Sequence, residues 1–248
     1  MDWKRMRRAI DVYRRSGSKQ VLARLCSYGI IPPCAIEYAA YDLYRLKRFR
    51  RIQVRTDPRV SIGFASRSDI SQLSLLTTAA NSSEQQAMDE LFGKFLREGG
   101  RCVAVRSGEQ IVAYEWLFRN RYWLSRDELG PQTIEIRLGE GVFLSNGYIL
   151  PSYRLKGLFP LMANFIVDSF PESIPVYTHI EKLNTPSKRA HERLGFEPVG
   201  GVEFWRITGL PHFWVLNALH KKMPVVARKR PLVLEQLVTD KARACGSI

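Results

Sequence analysis

Apolar and polar positions change period several times between residues 57 and 210. Two-residue alternation marks strands in VSIGFAS (60–66), RCVAVRSGEQIVAYEWLFRN (101–120), GVFLSNGYIL (141–150), IPVYTHIEK (174–182) and VEFWRI (202–207). The second of these turns back on itself at Ser107-Gly108, so it predicts two strands joined as a hairpin. A three-to-four-residue period marks helices in DISQLSLLTTAA (69–80), SSEQQAMDELFGKFLREGG (82–100), LKGLFPLMANFIVDSF (155–170) and TPSKRAHERLG (185–195). Ser82 or Ser83 is a candidate N-cap for the second helix, which Gly99-Gly100 stops; Asn184 or Thr185 starts the last one, which ends near Gly195. The order is β-α-α-β-β-β-α-β-α-β, and it predicts a mixed α/β domain over 57–210.

The flanks read differently. Residues 1–56 predict a basic, amphipathic helical extension, with two apolar helical patches in VLARLCSYGIIPPCAIEYAAYDLYRLKRF split by Pro32-Pro33. Tyr38, Tyr41 and Leu46 fall near one face of the second patch, with Tyr44 and Phe49 at its edges, and Arg45, Lys47, Arg48, Arg50 and Arg51 crowd its end. Such a segment either packs on the main domain or lies on an anionic membrane. Residues 211–248 are basic and interrupted by proline, and predict a docked helix followed by a tail.

Charge sharpens this division. The net charge is +14. Residues 1–55 hold fourteen Lys+Arg against four Asp+Glu, and the remaining residues hold twenty-four against twenty. A phosphate-rich or acidic partner would therefore be drawn mainly to the N-terminal region. With 45% hydrophobic residues the chain has enough apolar surface for a real core, yet no run reaches the roughly 18 apolar residues of a spanning helix. The N-terminus lacks the apolar run of a secretory signal. Cys26, Cys34, Cys102 and Cys245 form no CxxC pair and no metal-ligand spacing, which suits a reducing compartment. The expectation is a cytoplasmic protein without a metal, with peripheral contact at the inner membrane face as the extension's alternative role.

One stretch carries chemistry. In ILPSYRLKGLFPL (149–161) a strand feeds a helix through a short turn. The first helical N–H groups of such a turn lack internal partners and, with the helix dipole, attract an anion. Gly157 permits close approach to the backbone, and Arg154 and Lys156 add positive charge. The turn is a candidate pyrophosphate cradle.

This stretch and the element order resemble the GNAT (GCN5-related N-acetyltransferase) family. The family's R/Q-x-x-G-x-G/A stands here as Arg154-Leu155-Lys156-Gly157-Leu158-Phe159, preceded by Ile149-x-Pro151 where the family usually has V-x-P. Downstream, NTPSKRAHERLGF resembles the family's N-x-x-A/S-x-x-x-Y-x-x-x-G-F, with Asn184, Ser187, Gly195 and Phe196 at matching positions. The resemblance covers about residues 57–208. It implies a mostly antiparallel sheet flanked by helices, in which the strands at 141–150 and 174–182 splay apart. It also implies acetyl-CoA or a longer acyl-CoA as co-substrate. The backbone of Leu155, Lys156, Gly157, Leu158 and Phe159 would hold the pyrophosphate, with Asn184 and Ser187 nearby, and the backbone at Ile149 and Leu150 would meet the pantetheine arm. An amine would attack the thioester directly.

Two positions depart from the pattern. Phe159 replaces Gly or Ala, and the cradle survives only if its ring points away. His191 stands where the family often has the Tyr that protonates the thiolate; a histidine with an ordinary pKa near 6.5 can donate there, or it is a plain helix residue. The proton acceptor is open among Glu115, Glu135, Glu140, Asn146 and Tyr148, with Tyr177 and His179 sharing one strand face beside them. Residues 119–141, between two of the strands, are too long for a tight hairpin and are expected to shape the acceptor site. Asp127, Glu128, Glu135 and Glu140 would favour a cationic acceptor there. The acceptor is a small amine or a peptide. Two other functions remain: an acyl carrier protein-dependent long-chain N-acyltransferase at the membrane, and a non-catalytic basic binding module. No nucleic-acid-binding motif is recognisable, so specific nucleic-acid recognition is not expected.

Overall fold

Ile36–Leu46 carries apolar residues at both parities, and the chain uses both. The computed structural model describes residues 21–22, 25–26, 30–32, 35–55, 57–77, 82–125, 133–209, 213–218, 221–223 and 232–233. In it Ile36–Leu46 is an eleven-residue strand, β1. Adjacent Leu43 and Tyr44 are both buried and belong to different core clusters. This corrects the helix expected here. A strand buried on both faces has no polar side, and periodicity alone cannot tell it from a buried helical patch. Residues 21–22 and 25–26 upstream are helical, and residues 1–20 lie outside the described residues.

The remaining elements are β2 (Val60–Phe64), α1 (Ile70–Thr77), α2 (Ser82–Arg97), β3 (Arg101–Ser107), β4 (Gln110–Ser125) and β5 (Thr133–Ile149). After these come α3 (Leu158–Asp168), β6 (Val176–Glu181), α4 (Thr185–Leu194) and β7 (Phe196–Ile207). Among the described residues three short strands follow: β8 (Phe213–Ala218), β9 (Lys221–Met223) and β10 (Leu232–Val233). The helix expected after residue 211 is therefore corrected too: Phe213–Ala218 pairs antiparallel with β7. Its FWVLNA sequence is rich in residues that fit a pleated surface. Residues 234–248 lie outside the described residues.

Among the described residues the strands form one sheet in the order β2-β3-β4-β5-β6-β1-β7-β8-β9, with β10 added to β5. Among the described strand pairs, only β5–β6 and β10–β5 are parallel. β1 sits inside the sheet, antiparallel to β6 and to β7, so the sheet begins within the region read as an extension. Leu73, Leu91, Phe92 and Phe95 of α1 and α2 cover one face, against Tyr114, Trp116 and Phe118. Leu158, Met162, Ile166 and Leu194 of α3 and α4 cover the other, against Val103, Val105 and Val112. The expected α/β class, a mostly antiparallel sheet between helices, is what forms.

Residues 47–55 leave β1 as a strap across α3 and α4. Lys47 N–H and Arg50 N–H donate to the carbonyls of Gly195 (3.2 Å) and Leu194 (2.9 Å). Asn164 Nδ2 donates to Ile52 O at 2.9 Å, and Arg51 pairs with Asp168. Cutting the chain before residue 57 should therefore abolish cooperative unfolding. Leu43→Ala should lower stability by about 2–5 kcal/mol, while Arg48→Ala should stay within about 0.5 kcal/mol, as read by urea unfolding.

Candidate active site

The parallel pairing of β5 with β6 covers three residue pairs, Val142↔Val176, Phe143↔Tyr177 and Leu144↔Thr178, and then stops. Thr178 Oγ1 donates to Leu144 O at 3.1 Å and closes the apex. Beyond it the strands part around a cleft of about 610 Å³. Ser145, Asn146, Gly147, Tyr148 and Ile149 line one side, and Thr178, His179, Ile180 and Glu181 the other. Arg154, Phe159, Asn184, Ser187 and His191 close the end formed by α3 and α4.

At that end the turn into α3 is open. Leu155 and Gly157 both have positive φ, 63° and 79°. Gly157 is the N-cap position and has no side-chain cap. The N–H groups of Leu155 through Phe159 find no acceptor among the described residues. Successive free N–H groups in such a turn form a concavity for an anion. A side chain at Gly157 would be strained by its φ and would meet Val54 Cγ1 at 2.5 Å. Val54 belongs to the strap, a neighbour that sequence reasoning missed because no local signal places it there. Arg154 Nε donates to Ile149 O at 3.2 Å, and Lys156 Nζ lies 4.7 Å from the Tyr153 ring centroid. The N–H of Leu150 donates to Val112 O at 3.0 Å, so that expected pantetheine contact is already occupied within the protein.

Glu115 comes from the middle of β4. The β4–β5 register shifts between Tyr114 and Trp116, so Glu115 faces Asn146 and Gly147 together. Asn146 has φ 55°, which places the extra residue of this bulge on β5. The Glu115 carboxyl occupies the space that a side chain on residue 147 would fill. It is buried, and burial pushes its pKa up to about 8. Tyr148 stands beside it in the cleft, stacked on Tyr114 at 6.1 Å. Glu135 lies away from the cleft, paired with Arg137 at 3.2 Å, and Glu140 is exposed outside it. Asp127 and Glu128 lie outside the described residues.

Asn184 caps α4 by accepting from Ser187 N–H at 3.2 Å, so these two residues first satisfy each other. His191 is buried, with Nδ1 2.8 Å from Ser187 O. A carbonyl there requires the proton on Nδ1 and leaves Nε2 as an acceptor. Burial holds its pKa down, to about 4. The Phe159 ring packs on His191 at 4.6 Å between centroids. Phe159 thus turns toward α4 and leaves its N–H in the open turn. Tyr177 is core, whereas His179 lines the cleft, stacked on Tyr122 and Phe143 at 5.7 and 5.6 Å. Ser145 Oγ donates to Tyr122 Oη at 2.7 Å beside it. Among the described residues no helix is long and apolar enough to cross a membrane.

No family model matches the chain. No curated protein matches it either. Solved structures do. A tandem GNAT protein from the clavulanic acid biosynthesis pathway superposes with TM-score 0.50 at 15% identity, over 75% of this chain and 58% of that one. A functionally unknown conserved protein from Staphylococcus epidermidis gives 0.49 at 12% identity, over 76% and 66%. A GNAT-family acetyltransferase from Colwellia psychrerythraea gives 0.47 at 11%, over 69% and 57%. This chain therefore spans less than two thirds of the length of these neighbours. The fold is similar to that of the tandem GNAT protein.

The raised Glu115 pKa makes a stability prediction with a definite sign. The folded state holds a proton that the unfolded chain releases above about 4.5, so stability falls as pH rises, until the folded group titrates near 8. The slope is about 1.4 kcal/mol per pH unit in that window. His179 and His191, both held down to about 4 by burial, act in the opposite direction between about 4 and 6.5. The difference between wild type and Glu115→Gln isolates the glutamate: the variant should gain relative stability from pH 5 to 8 and then level off, in denaturant melts at each pH.

Proposed function

We propose that this chain is an acyl-CoA-dependent N-acyltransferase. The observation that carries this reading is the joining of an open, cation-flanked turn to a strand cleft containing one buried carboxyl. The N–H groups from Leu155 to Phe159 fit a pyrophosphate, and Arg154 and Lys156 flank it with positive charge. The cleft beyond offers a path for a pantetheine arm.

The acceptor arrives as an ammonium ion and must lose a proton before it can attack. Glu115, with a pKa near 8, is a base matched to that task. The amine nitrogen bonds to the thioester carbonyl carbon, the C–S bond breaks, and the thiolate leaves with the electron pair. The proton held by Glu115 then returns to the sulfur directly or through water, and the second proton of the newly bonded nitrogen is released to solvent, which leaves a neutral amide. His191 is poorly suited to that step, since its Nδ1 proton is engaged and burial opposes a second one. In this mechanism it supports Phe159 and hence the wall of the cleft. Donation by acyl carrier protein needs the same turn and cleft, and the exposed cations Arg48, Arg50 and Arg55 of the strap suit its acidic surface.

Isothermal titration should detect acyl-CoA binding to the wild type, and Gly157→Glu should abolish it, both by distorting the turn against Val54 and by setting a carboxylate near the phosphate. Glu115→Gln should bind the donor normally yet lower kcat by about 10²–10⁴-fold. Wild-type kcat/KM should rise with pH through an apparent pKa near 8, a limb that the variant lacks. A folded wild type that binds no CoA thioester sinks the reading.

A further inference from the structure

Across the sheet from α3 and α4 the cleft has a second set of groups that the transfer step leaves unused. Ile180 packs toward α3 and α4, so its neighbours His179 and Glu181 point to the opposite face. Register places Tyr41 of β1 directly opposite Glu181. Directly opposed side chains on antiparallel strands stand roughly 4.5–5.5 Å apart at Cβ. The Tyr41 and His179 rings meet edge to face at 5.2 Å. All three residues line the cleft.

The polar inventory of this corner is unusual. His179 Nδ1 is buried with no hydrogen-bond partner, although the ring is fixed by stacking on Tyr122 and Phe143. A buried, unpaired nitrogen is costly, and such atoms call for an explanation such as a ligand. Desolvation keeps the imidazole neutral. Glu181 is exposed at the cleft mouth with no ion-pair partner among the described residues. The positive side chain on the cleft wall, Arg154, lies at the other end, held by Ile149 O. An aromatic ring, a free carboxylate and a neutral imidazole around one space form a receptor for an organic cation.

We propose that Tyr41, His179 and Glu181 bind a second positive charge of the acceptor, so that the substrate is a diamine. One ammonium pairs with Glu181 against the Tyr41 ring, with His179 accepting a hydrogen bond from it. The other amine reaches Glu115 in the same cleft, loses its proton and is acylated. This assignment rests on the transferase reading for the reaction but not for the binding.

The test uses 1,4-diaminobutane and butylamine with acetyl-CoA, and calorimetry with each amine alone. Wild-type kcat/KM should favour the diamine by about tenfold. Glu181→Gln should erase that preference while leaving butylamine turnover and acetyl-CoA affinity unchanged. His179→Phe keeps the stacking and removes both nitrogens: it should raise KM for the diamine, spare kcat, and leave the melting temperature equal or higher. Equal use of the two amines by wild type, or equal loss of both in Glu181→Gln, overturns the cation site and leaves the transferase reading standing. Diamine binding that Glu181→Gln removes, without any thioester consumption, supports the cation site and overturns the transferase reading. Absence of both binding and turnover overturns both.

Discussion

Backbone pairing between β5 and β6 ends at Leu144 and Thr178, and the site exists because it ends there. Continued pairing would fill the cleft with a hydrogen-bond ladder and bury His179 and Tyr148 in an ordinary sheet. The two strands part because each is held elsewhere. β5 is bound to β4 along almost its whole length, with its bulge at Asn146 and Gly147 bending it away. β6 is drawn by β1, which pairs with it from Tyr41 to Arg45. A pair of strands with separate partners can diverge without leaving an edge unsupported. The same bulge gives Glu115 its place, because only a residue without a side chain at position 147 leaves room for that carboxyl.

The two departures from the GNAT motifs are one packing solution. Phe159 stands where the family has a small residue, and His191 where it often has a tyrosine; here the two rings lie against each other. A tyrosine at 191 would compete with the Phe159 ring for space, and a glycine at 159 would leave the His191 ring uncovered. Phe196 closes the other side of the imidazole at 5.2 Å. The substitution at the motif's end therefore does not fill the turn; it covers α4. The chemical consequence is that burial keeps His191 neutral, while Glu115, buried beside the strand cleft, has its pKa raised toward neutrality.

Local patterns were sufficient wherever an element has one polar side or a marked end. α2 and α4 are amphipathic, and Asn184 and Gly195 bound α4 as their residue types suggest. The open turn was legible because its glycine and flanking cations are contiguous. β1 was not, because burial on both faces erases the two-residue alternation and leaves Tyr38, Tyr41 and Tyr44 at a spacing that also fits a helix. β8 was hidden for another reason: it lies within a proline-interrupted, basic segment whose composition does not suggest a strand. Two parts of the site then became invisible for a non-local reason. Val54 meets Gly157, and Tyr41 meets His179, across sequence distances that no motif spans. Glu115 was one carboxylate among several until the bulge singled it out.

The N-terminal region thus contributes to the site in two physically different ways. As β1 it sets the position of β6, and hence the width of the cleft, through backbone pairing. As the strap it lies against the turn, where Val54 bounds Gly157 and Arg51 is tied to Asp168 at the far end of α3. Both contacts fix α3 relative to the sheet, and α3 carries the open N–H groups. The positive charge of residues 45–55 follows from the same geometry: a strap that crosses two helices exposes its polar side chains outward, beside the open turn into α3. Charge that looked like a separate attachment to partners is therefore continuous with the rim of the candidate active site.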